Sequence, residues 1–279
     1  MLLLLTALIP WGQRLEHRWI QRKCHVSKVD HYRAILRGLA EWEPFLLRES
    51  GLPGPRGNIE LAQAVADEGD EPLFNHLLSF GADRAPANSA QEFLAFCGVL
   101  GLGRLLAEGR SDLLTGLRRW AADPRWRTRE AVAMALQRLG DHDMGFLLQT
   151  AEAWSDGGLL EKRAAAAALC EPRLLRDRAV VQRVLAILDA ITAALTTMED
   201  RRSVEFKALR QALGYCWSVA VVAEPSSGKQ RMERWLASDD ADVRWIMKEN
   251  LGKKRLARMD AAWVERWLWQ LHAGVNHRR

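Results

Sequence analysis

The sequence predicts an all-α protein built from stacked helical hairpins, and three observations predict it. Ala, Leu, Arg and Glu dominate a chain in which strand formers are sparse, as helices prefer. From about residue 111 onward, apolar residues recur at helical spacing between breaks of only a few residues. A short pattern, tryptophan followed nine residues later by arginine, recurs at Trp120, Trp154 and Trp235.

Residues 1–28 read as an irregular leader rich in Arg and Trp, ahead of one continuous domain over 29–279. Within the leader, Leu2 to Ile9 is apolar but too short to span a bilayer, and no positive segment precedes it. It is expected either to dock on the fold as a first helix or to reflect a translation start placed too far upstream. His31 to Glu49 reads as one amphipathic helix, with Tyr32, Ile35, Leu36, Leu39, Trp42 and Leu46 at helical spacing. The stretch Ser50 to Asn58, SGLPGPRGN, is a turn-rich loop. Asn58 is a suitable cap for a helix over Ile59 to Asp67, and a short helix follows around Pro72 to Phe80. After a loop at 81–87, Asn88 or Ser89 caps the next helix, and Ser89 with Glu92 has capping-box spacing.

Later breaks are expected near Asp123-Pro124, Gly140-Asp141, Gly157-Gly158, Glu171-Pro172, Glu199-Asp200, Glu224 to Gly228 and Ser238 to Asp240. The repeat sits on this frame. Trp120 precedes Arg129 in WAADPRWRTREAVAMAL, Trp154 precedes Arg163 in WSDGGLLEKRAAAAALC, and Trp235 precedes Arg244 in WLASDDADVRWIMKENL. Each Trp ends a helix, a polar loop follows, and each Arg falls in the first turns of the next helix. A fourth copy would lie near residues 195–213, where FKALRQALGYCW is helical but the Trp is absent. One hairpin cannot bury its apolar face alone, so stacking is required. Trp120, Trp154 and Trp235 are therefore read as structural, and Arg163 and its equivalents as ties to a loop carbonyl or an acid of the adjacent unit. The alanine run Ala164 to Ala168 lets two helices approach closely.

Most catalytic and cofactor classes lack a signature. Four cysteines (Cys24, Cys97, Cys170, Cys216) form no CxxC pair, and the seven histidines do not pair at metal-ligand helical spacing. No nucleophile elbow, phosphate loop or dinucleotide fingerprint occurs. Ser226 to Lys229 reads as a loop and helix start. No metal, cofactor or catalytic residue is expected, no membrane span is expected, and the chain is read as cytoplasmic.

This arrangement resembles the HEAT-like repeat superfamily, an α-α superhelix, with about twelve to fourteen helices expected here. Within it, WAADPRWRTREAVAMAL resembles a segment of the bacterial alkylpurine DNA glycosylases, the DNA alkylation-repair family. The resemblance spans about Phe93 to Leu256 and implies a concave basic surface that holds duplex DNA, with Trp120, Trp126, Arg127 and Arg129 as DNA-facing positions. Those glycosylases also carry a W-D-x-V-D segment whose aspartate stabilises the sugar cation as the base leaves. The equivalent stretch here, FLAFCGVLGLGRLL at 93–106, has no acidic residue, which removes that stabilisation.

The charge is uneven. Net charge is +5, and Arg244, Lys248, Lys253, Lys254, Arg255 and Arg258 stand close together against a single acid, Glu249. If successive second helices line one face, these cations converge there with Trp126, Arg127 and Arg129 as candidate nucleic-acid contacts. The expected function is a non-catalytic scaffold that binds a protein or duplex DNA on its concave face. The alternative is a DNA repair enzyme like the alkylpurine glycosylases.

Overall fold

A computed structural model describes residues 27–276, with side chains described through Leu271. The apolar segment Leu2 to Ile9 and most of the expected leader lie outside these residues. The described chain is helical throughout: fifteen α-helices, one 3-10 turn and no strand. In order they are α1 (Lys28–Arg37), α2 (Glu43–Glu49), α3 (Ile59–Glu68), α4 (Glu71–Leu78), α5 (Ala90–Ala107), α6 (Leu114–Trp120), α7 (Trp126–His142) and α8 (Met144–Ser155). There follow α9 (Leu159–Leu169), α10 (Arg178–Thr196), α11 (Val204–Ala223), α12 (Pro225–Leu236), α13 (Ala241–Leu251), α14 (Lys254–Met259) and α15 (Ala261–Asn276).

Two differences from the sequence reading have local causes. The single helix expected over His31 to Glu49 is two helices. Gly38 ends α1, its N–H donating back to Ile35 O while the N–H of Leu39 donates to Leu36 O. Pro44 then sits in the first turn of α2, where its missing N–H costs nothing and its fixed φ suits a helix start. The break expected over Glu224 to Gly228 shrinks to Glu224 alone. Its carboxylate accepts from Ser227 N–H at 2.8 Å, and Pro225 opens α12. Elsewhere α7 runs through Gly140 to His142, and Asp143 caps α8. Gly252-Lys253 and Asp260 interrupt the chain to give the short α14.

The odd-numbered helices contact one another in unbroken succession from α1 to α15. The even-numbered helices pack against them, and α8 touches α10 as α10 touches α12. Small residues set the closest approach. A Cβ on Gly103 of α5 would lie 2.5 Å from Ala135 Cα of α7, so only glycine allows this pair to meet so closely. In α9, Ala164, Ala165, Ala166 and Ala168 are buried between α7 and α11. The apolar residues from Leu36 to Leu271 form one contiguous buried cluster.

Polar ties join adjacent helices at fixed heights. Asn250 of α13 is fully buried, donating to Leu213 O and accepting from Ser218 N–H of α11, each at 2.8 Å. Arg125 is buried against Asp123 and also donates to the carbonyls of Phe80 and Ala85 at 3.0 and 3.1 Å. By length and composition α5 and α10 could each cross a membrane, although 78% of the α5 window is buried inside the fold and 44% of the α10 window.

Candidate functional site

Each arginine of the repeat lies in the first turns of an odd-numbered helix. Arg129 of α7 donates to Asp123 O and Pro124 O at 2.7 and 2.9 Å. Arg163 of α9 donates to Arg129 O at 3.0 Å and pairs with the Glu130 carboxylate. Arg244 of α13 donates to Leu271 O at 3.2 Å. In the unit without a Trp, Met198 stands nine residues before Lys207, with Met198 packed on the core and Lys207 exposed in the first turn of α11. The tryptophans differ in depth: Trp154 is buried at 2% exposure, whereas Trp120 and Trp235 are half-buried. The Trp235 indole donates to Asp189 at 2.8 Å, a carboxylate that also gathers Arg231 and Arg234.

A groove crosses the odd-numbered helices. Its middle is a cavity of about 560 Å³ bordered by Trp126, Arg163, Glu171, Gln211 and Tyr215, with the buried thiols Cys170 and Cys216 in its wall. Burial raises the Cys170 thiol well above the ordinary cysteine value, which keeps it protonated and inert. Toward the N-terminal side, Trp126 and Glu130 are shared with a smaller cavity over α5 and the 50–58 loop. Toward the C-terminal side, Gln211 and Tyr215 are shared with a depression bordered by Lys207, Arg210, Trp245 and Lys253. Lys253 in turn borders a further depression with Lys254, Arg255 and Arg258.

Three arginine–aromatic pairs mark this path. Guanidinium groups lie 4.4 Å from the Trp126 ring centroid (Arg127), 4.5 Å from that of Tyr215 (Arg255) and 4.3 Å from that of Trp245 (Arg210). Trp126 and Tyr215 are exposed at 49% and 44%, so each also presents ring surface to the groove.

The sequence-derived candidates divide into two groups. Arg127 and Arg129 are buried and engaged internally. Arg127 donates to Gly54 O at 2.6 Å and faces Glu92 at 3.6 Å, and burial beside the Arg163 guanidinium lowers the pKa of Arg129. Arg244 is tied to α15 through its bond to Leu271 O. Trp126, Arg129, Lys253, Lys254 and Arg255 border the groove, Arg129 with only 8% of its surface exposed, while Lys248 is exposed on α13 outside these cavities. Lys207, Arg210 and Tyr215 were missed by the sequence reading, and the vacant fourth repeat copy was the signal that pointed to their segment. No group of three or more metal-ligating side chains gathers among the described residues. Compared with known proteins, the chain matches no family model, no curated protein and no solved structure.

Proposed function

We propose that this chain is a HEAT-like helical solenoid working in the cytoplasm as a binding scaffold, and that its groove holds nucleic acid through the phosphate backbone. One observation carries the reading: the exposed rings of Trp126 and Tyr215, each with an arginine against it, share one groove with the cations of Lys207, Lys253 and Lys254. Lys207, Lys254 and Arg258 border that groove and take part in no ion pair among the described residues, which leaves their charge available to phosphates. The aromatic faces offer sequence-tolerant contact to bases or sugars.

Binding is favoured over catalysis by the state of the groove's acids. Glu130 is held by Arg163, Glu171 by Arg173 at 3.2 Å, and Glu249 by Lys253 at 3.6 Å. A carboxylate neutralised by a neighbouring cation is poorly placed to stabilise a developing positive charge. Methylated duplex DNA incubated with the protein is therefore expected to be retained on a filter at low salt without release of 7-methylguanine. Absence of retention at low salt would remove nucleic acid and leave an acidic protein surface as the partner. Release of the base would replace the scaffold reading with a repair enzyme.

A further inference from the structure

The smaller cavity beside the groove has features that the scaffold reading does not use. It has a volume of about 250 Å³, at the small end for a ligand site, and its walls include Phe93, Phe96, Trp126 and Met134. The Phe93 and Phe96 rings are nearly parallel, 8° apart. Two polar side chains also border it, Glu92 and Arg127.

Glu92 is fully buried at 0% exposure. One carboxyl oxygen accepts from Asn88 N–H at 2.6 Å, closing the start of α5, and faces Arg127 Nη1 at 3.6 Å. The other oxygen, Oε1, has no hydrogen-bond partner. Arg127 is 7% exposed and anchored through Nη2 to Gly54 O, yet its Nε–H has no partner either. The helix-capping role of Glu92 accounts for Oε2 only. Two adjoining side chains thus leave one buried acceptor and one buried donor unsatisfied at the wall of an aromatic cavity, a pairing that folded proteins rarely tolerate without use.

We propose that this cavity receives a planar heteroaromatic ring that presents a hydrogen-bond donor and an acceptor side by side on one edge, as nucleobases do. The ring packs against the phenylalanines, its N–H donates to Glu92 Oε1, and its acceptor takes the Arg127 Nε–H. An aliphatic ligand satisfies neither group. A phosphate suits Arg127 but is repelled beside Glu92, and an indole supplies the donor without the acceptor. Trp126 borders both this cavity and the groove, so a base leaving a strand in the groove reaches the cavity past one aromatic face. An unpaired or mismatched base enters most readily, because it gives up the least stacking and pairing. The proposal rests on the groove reading only where the ring belongs to a nucleic acid.

The probe is 2-aminopurine, as the free riboside and within oligonucleotides. Saturable quenching of the riboside by the full chain is expected, weakened about tenfold or more in Glu92→Gln and in Met134→Trp, which fills the cavity from a half-buried position. Thermal unfolding of each variant checks that it folds, and Met134→Trp keeps the test if Glu92→Gln does not. Lys253→Glu with Lys254→Glu is expected to leave riboside binding unchanged. In oligonucleotides, quenching is expected for an unpaired 2-aminopurine and not for one paired within a duplex. If neither riboside nor unpaired base is quenched while duplexes still bind, the cavity proposal fails and the groove reading stands. If the riboside binds and no duplex does, the groove reading fails and the cavity stands. Quenching that Met134→Trp leaves intact also overturns the cavity assignment.

Discussion

Arg163 reaches from α9 back to α7, where its Nη1 donates to the carbonyl oxygen of Arg129 at 3.0 Å. The two arginines occupy equivalent places in successive hairpins, so the repeated residue of one unit is bound by the repeated residue of the next. Arg129 completes the chain by closing on the Asp123-Pro124 loop before its own helix. The third copy differs, since Arg244 donates forward to Leu271 O of α15.

Removing Arg163 should loosen the tie between α9 and α7. Arg163→Ala leaves the Glu130 carboxylate without its cation and ends the bond to Arg129 O. A loss of about 1–3 kcal/mol is expected from urea unfolding. Glu130→Gln should cost less, under about 1 kcal/mol, because Glu130 is 43% exposed and its share of the pair is screened by water. Equal, small effects of both variants would make the contact incidental.

The three tryptophans should not respond alike. Trp154→Ala deletes a buried ring and is expected to cost about 3–5 kcal/mol in denaturant unfolding. Trp120→Ala and Trp235→Ala remove half-buried rings and should cost visibly less, with Trp235 also releasing Asp189 from its indole bond. A Trp120 loss as large as that of Trp154 would contradict the burial difference.

These outcomes mark what was legible in the sequence. Caps at Asn58 and Ser89 depend on one side chain and the next few N–H groups, so local sequence reveals them. The Trp-to-Arg spacing was visible, but the unequal depth of the three Trp and the different partners of the three Arg were not, because packing of other elements sets them. The split between α1 and α2 was missed because apolar spacing carries across Gly38 to Trp42, while Gly38 and Pro44 break the backbone beneath it. Within the site, the segment rich in Lys and Arg was visible as composition. The capture of Arg127 by Gly54 O was not, because 73 residues separate them and only the packing of the 50–58 loop on α7 joins them. That loop depends on Gly51, whose φ of +73° a side chain would resist and whose Cβ would meet Arg56 O at 2.9 Å. Glu92 was read as half of a capping box, and nothing local tells that its second oxygen stands at a cavity wall.

Acid should act early at the N-terminal end. Arg37 and Arg33 both donate to the Glu68 carboxylate and hold its pKa down from 4.5 to about 2. A carboxylate with a depressed folded pKa contributes stability that is fully present above its unfolded value and is lost as pH falls toward the folded one. Part of the stability should therefore disappear between about pH 5 and pH 2. In Glu68→Gln that share of the slope should vanish, seen as a flatter plot of unfolding midpoint against pH. An unchanged slope would show that the pair does not hold Glu68 in solution.

Anisotropy of a labelled duplex across salt concentrations tests the groove most directly. With unrelated sequences, the logarithm of the association constant should fall linearly with that of salt, by about 0.9 for each phosphate neutralised. Sequence should matter little, since among the described residues no helix stands apart from the groove to read base edges. Lys253→Glu with Lys254→Glu should weaken binding to every duplex and reduce the slope by about 1 to 2. No binding at low salt, or tight binding to one sequence that salt does not weaken, would contradict a groove that holds the phosphate backbone.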